Sequence, residues 1–175
     1  MTLSSYLPAK PANWHGFVLF AIAFWLSSSL LLDFLVMPGL FVSGMMTQDS
    51  FSTAGYSLFW LFNRVEILCG AIVLTGLLVL RQQRSESGIL VSGTRSRWSL
   101  GLAMLLLGIT LAYTYVLTPT MSSLGLPLNL FEPQEVPALM NQMHALYWAL
   151  EMLKLGACGL LLRLCYSDLR THSMG

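Results

Sequence analysis

The segment Asn141-Gln-Met-His-Ala-Leu-Tyr-Trp-Ala-Leu-Glu-Met-Leu-Lys154 places Asn141, His144, Glu151 and Lys154 inside an apolar run from about 139 to 164. Side chains of these types can pair as ions, hold a proton or bind a polar head group. At about 100° per residue, Asn141, His144, Trp148, Glu151 and Leu155 share one helical face. Two other apolar runs carry charge as well. Asp33 lies near the end of the first, and Asn63, Arg64 and Glu66 fall together in Trp60-Leu-Phe-Asn-Arg-Val-Glu66 of the second. Arg64 and Glu66 diverge by about 160° around a helix, so they cannot pair with each other.

Charge within a bilayer is costly. Arg64 and Lys154 each cost about 2.5 kcal/mol or more at the bilayer centre if unpaired, so these groups must face protein or a wet cavity. The signs allow Asp33 or Glu151 to take Arg64, and Glu66 to take Lys154. The first expectation is a set of interhelical ion pairs that fixes helix register. The sharper alternative is a proton or ion site along Asp33, Arg64, His144 and Glu151. Six of the ten methionines, Met37, Met45, Met46, Met121, Met140 and Met143, fall toward the same end as His144. Thioether and imidazole can ligate Cu(I), which makes copper a third possibility. Methionine is equally a packing residue, and no clean ligand set of the kind that defines a metal site emerges.

The elements that position these residues follow from composition. The chain has 175 residues, 55% hydrophobic and only 10% charged, with a mean hydropathy of +0.68. Soluble domains carry about 25% charge, so this is the composition of a single integral membrane domain. A net charge of +1 gives no reason to expect a nucleic-acid partner. Cys69, Cys158 and Cys165 form no CxxC pair and read as small core residues, without disulfide or zinc. Nothing resembles a charged region, short apolar stretch and cleavage site at the N-terminus, so no signal peptide is expected.

Four spans are expected, at about 17–37, 51–80, 100–117 and 139–164, as an all-α, up-down-up-down four-helix bundle. Pro38-Gly39 should end the first span and Thr118-Pro119-Thr120-Met121 the third, because proline breaks a helix interior. Ser27-Ser28-Ser29 suits close helix contact, and Tyr113 and Tyr115 suit an interfacial aromatic belt. The link 81–99 holds Arg81, Arg84, Arg95 and Arg97, and the proline-rich stretch 122–138 should fold onto the bundle mouth. Lys10, the link arginines, Arg163 and Arg170 fall on one side, so both termini are expected in the cytoplasm. No inverted repeat is evident, which counts against transport. Nor is there HExxH, a P-loop, GxSxG or a pair of intramembrane histidines for haem, so no enzyme and no cofactor are expected.

Leu35-Val-Met-Pro-Gly39, Phe62-Asn-Arg-Val-Glu66, Tyr115-Val-Leu-Thr-Pro-Thr-Met121 and Met143-His-Ala-Leu-Tyr-Trp148 resemble the transmembrane-protein-205-like family over about residues 14–165. That four-span family is more distantly similar to copper-resistance-D-type membrane proteins. The resemblance implies the fold and little chemistry. Its association with photosynthetic bacteria implies a thylakoid or plasma membrane and a role assisting assembly of membrane complexes. The expected partners are membrane lipids and either other integral membrane proteins or further copies of this chain.

Overall fold

The computed structural model describes residues 13–45, 51–86, 94–125 and 138–173. All the regular structure among them is helical, in four long helices. Helix α1 runs Trp14–Leu31, widens into a π-helical turn at Leu32–Val36 and continues through Met37–Val42. Helix α2 spans Phe51–Glu86. Helix α3 runs Thr94–Ala112, widens at Tyr113–Leu117 and continues through Thr118–Gly125. Helix α4 spans Ala138–Ser173. Each contains an apolar stretch long enough to cross a membrane: Trp14–Val42, Thr53–Gln83, Ser96–Ser123 and Leu139–Asp168.

These stretches exceed the expected spans, most of all at the two prolines. Neither Pro38 nor Pro119 ends its helix. In an α-helix the proline ring presses on the carbonyl four residues back. Here each proline follows a wide turn, in which Met37 N–H returns to the Leu32 carbonyl and Thr118 N–H to the Tyr113 carbonyl. The five-residue step moves backbone groups out of α register just before the ring, so the chain continues past it. The turns therefore override a local stop signal. At the other end of α1, Asn13 caps the helix, its side chain accepting from Gly16 N at 3.1 Å. The expected proline-rich loop lies outside the described residues except at its margins, where 122–125 end α3 and 138 begins α4. Met46, Lys10 and the centre of the basic link also lie outside them.

The four helices close a ring in chain order: α1 packs on α2, α2 on α3, α3 on α4 and α4 on α1. The centre is filled by side chains. Val18, Ile22, Trp25, Val73, Leu106 and Leu161 are each no more than 1% exposed. Helix α1 meets α2 closely at Gly76, where an added Cβ would overlap the Val18 side chain. Outward, large apolar residues such as Phe20, Leu61, Trp98, Tyr115 and Leu160 are exposed. An apolar exterior around a partly polar interior is the inverse of a soluble bundle.

The ring contains a direct repeat. Val18, Ile22, Trp25, Ser29 and Leu32 of α1 are buried, and so are Ser99, Ala103, Leu106, Thr110 and Tyr113 of α3, each pair 81 residues apart. In α2 and α4 the matching buried positions are Glu66 and Glu151, Cys69 and Lys154, Val73 and Cys158, Gly76 and Leu161, and Leu80 and Cys165, each 85 residues apart. The wide turns and prolines of α1 and α3 keep the same 81-residue offset. Two helix pairs thus share one pattern of burial and of backbone distortion.

Candidate functional site: a buried acid and lysine network

The polar centre is built on the matching glutamates. Lys154 reaches both, with Nζ 2.5 Å from Glu66 Oε1 and 2.8 Å from Glu151 Oε2. Glu151 and Lys154 are three residues apart on α4, so one helical face carries both, while Glu66 arrives from α2. Lys154, Glu66 and Glu151 are 2%, 1% and 0% exposed. Lys154 thus meets Glu66, its expected partner, and Glu151 as well.

Neutral donors complete the first glutamate. Trp25 Nε1 donates to Glu66 Oε1 at 3.0 Å, and Ser29 Oγ donates to the same oxygen at 3.1 Å. Both come from α1, one turn apart and facing α2. Around the second glutamate, Tyr113 donates its hydroxyl to Glu151 Oε2 at 3.1 Å. Tyr147 donates to Asp33 Oδ1 at 3.0 Å. The Tyr113 and Tyr147 rings lie with centroids 5.3 Å apart, next to each other in the core. Lys154 Nζ also lies 5.3 Å from the Tyr113 ring centroid, within cation–π range. Asp33, itself buried, is close enough for its carboxyl group to interact directly with that of Glu151. Asp33 and Tyr113 both belong to the wide turns, which therefore deliver side chains to the network as well as accommodating proline.

Four of the eight expected network residues meet here: Asp33, Glu66, Glu151 and Lys154. The other four do not. Asn63 is buried but donates to Thr118 Oγ1 at 2.8 Å, tying α2 to α3 beyond the second wide turn. Arg64 takes neither Asp33 nor Glu151; it is exposed, with its guanidinium 3.9 Å over the Trp60 ring of its own helix. Asn141 and His144 are exposed, and His144 Nδ1 bonds the Met140 carbonyl at 2.9 Å. The inward face of α4 is instead Met140, Tyr147, Glu151, Lys154, Cys158, Leu161 and Cys165. Glu151 lies at the edge of both candidate faces, and Lys154 with Tyr147 sets the inward one about 100° from the Asn141–His144–Trp148 stripe.

Tyr113, Tyr147, Trp25 and Ser29 were not anticipated as network members. Tyr113 in particular belongs to the core, not to an aromatic belt; Tyr115, at 72% exposed, fits the belt. One signal was available in the sequence: Tyr147 stands four and seven residues before Glu151 and Lys154, the spacing of one helical face. Among the methionines, Met140 is buried and Met45 is exposed, and no group of three or more His, Cys, Asp or Glu suited to a metal ion occurs among the described residues.

Compared with known proteins, the chain matches no family model, no curated protein and no solved structure.

Proposed function

We propose that this chain is a non-enzymatic, four-span integral membrane protein that acts through lateral contacts, as an accessory, scaffold or assembly factor for a membrane protein complex. The observation that carries the reading is the direction in which its chemistry points. The charged side chains of the core face one another across the ring, and the outer surface is left to large apolar groups including Trp60, Trp98 and Trp148. Such a core specifies which helices meet and at what height, while an aromatic exterior offers anchors to a neighbouring protein. The network serves register on this reading; it handles no substrate.

The topology belongs to the same proposal. The helices alternate up and down, with both termini and the arginine-rich link in the cytoplasm. A thylakoid or plasma membrane location, and membership of the four-span family resembled above, complete it. Purification from the native membrane in mild detergent, with mass spectrometry of co-purifying chains and metal analysis, tests the reading. A stable complex of defined partners is the expected result. A chain that purifies alone with stoichiometric copper would overturn it.

A further inference from the structure

Counting charge in the core leaves a surplus of acid. Asp33, Glu66 and Glu151 are three carboxyl groups, each no more than 3% exposed, and Lys154 is the one buried ammonium among the described residues. Fully ionised, the cluster would hold two net negative charges away from water. A buried carboxylate without compensation costs so much that such groups take up a proton. Two oxygens stand apart as well: Glu66 Oε2 and Glu151 Oε1 are buried and accept no hydrogen bond. The two glutamates nevertheless differ. Glu66 Oε1 collects three donors, from Lys154, Trp25 and Ser29. Glu151 instead has a second carboxyl, Asp33, beside it.

We infer that Asp33 and Glu151 form a proton-binding dyad that shares one exchangeable proton, beside the Glu66–Lys154 pair. Two carboxyl groups in contact cannot both ionise cheaply, and one shared proton turns their repulsion into a hydrogen bond. The unpartnered Glu151 Oε1 is the oxygen left free for that proton. The remaining groups facing the dyad suit this state. Tyr147 and Tyr113 each donate a hydroxyl, one to Asp33 and one to Glu151, and Lys154 contacts Glu151 through the other oxygen, Oε2. From α2 the facing charge is Glu66, already neutralised by Lys154.

The dyad lies toward one end of the ring. Asp33 is nine residues from the α1 end at Val42, about 14 Å of helix. In the other direction Trp25, Val73, Leu106 and Leu161 fill the ring with apolar groups. This site goes beyond the accessory role and stands independently of it.

Infrared spectroscopy of the full chain in lipid nanodiscs at neutral pH tests the assignment, because a protonated carboxyl has a C=O stretch resolved from that of a carboxylate. The expected result is one protonated-carboxyl band that shifts on deuteration, disappears in Asp33→Asn and in Glu151→Gln, and persists in Glu66→Gln. The wild-type spectrum alone can overturn the proposal, by showing no such band, so the test survives a variant that fails to fold. A band untouched by Asp33→Asn and Glu151→Gln, or one abolished by sodium ions at constant pH, would also overturn it, the latter in favour of a bound cation.

Discussion

Glu66 in the first helix pair and Glu151 in the second occupy matching positions, yet they are held by different means. Glu66 is met by an indole and a hydroxyl from the preceding helix, both on the oxygen that takes Lys154. At the sites matching Trp25 and Ser29, α3 has Leu106 and Thr110, and Thr110 Oγ1 bonds its own helix at the Leu107 carbonyl. Glu151 receives Tyr113 instead, from the wide turn one step further along. Cys69 and Lys154 also match, so the second pair supplies the ammonium that the first lacks. The shared backbone pattern sets where an acid is buried, and the side chains around it are free to diverge. Each half has solved the desolvation of one glutamate separately, except for the lysine they hold in common.

The comparison can be broken most severely at that lysine. Lys154→Ala removes the cation from both halves, and the expected cost is about 3–5 kcal/mol, read as a large loss of thermal stability in detergent or of folded yield. If Glu66→Gln then restores much of that loss, the uncompensated charge was its cause. Packing comes next. Gly76→Ala should cost about 1–3 kcal/mol, because its Cβ meets Val18, whereas Gly70→Ala meets Leu107 Cδ1 at 3.2 Å and should cost less. Equal melting temperatures for these two variants would refute the close approach of α1 and α2 at Gly76. Tyr113→Phe removes the hydroxyl bonded to Glu151 and to the Tyr147 carbonyl, and Asn63→Ala the bond to Thr118; each should cost about 0.5–1.5 kcal/mol. His144→Gln should fall within about 0.5 kcal/mol of wild type, since His144 is exposed and bonds only its own helix. A large effect there would move the functional centre of α4 back to the Asn141–His144 face.

Much of this was legible in the residues. Composition and four apolar runs gave the helices, and the sign and depth of Glu66 and Lys154 gave their pairing. The inward face of α4 was harder to read. Seven residues separate His144 from Glu151, nearly two full turns, so periodicity alone admits either stripe. Only the ring of neighbours selects Tyr147 and Lys154. The prolines misled for a related reason. A proline rule assumes α geometry before it, and Leu32–Val36 and Tyr113–Leu117 abandon that geometry without any glycine or polar break to announce the change. Arg64 illustrates the opposite case, in which a cation expected to need an acid lies exposed over an aromatic ring one turn back.

The lysine shared between the halves has a consequence for how the molecule can be divided. A polypeptide ending after α2 would carry a glutamate whose counter-ion resides on the missing part, and one beginning at α3 would carry an ammonium relieved of half its anionic load. Neither piece is a self-sufficient module, although their patterns of burial match. Two copies of the first pair would bring together four buried acids, Asp33 and Glu66 twice over, and no buried cation among the described residues, so the first pair cannot substitute for the second. The two pairs are related in plan but complementary in charge, and they are suited to assemble with each other, not with themselves.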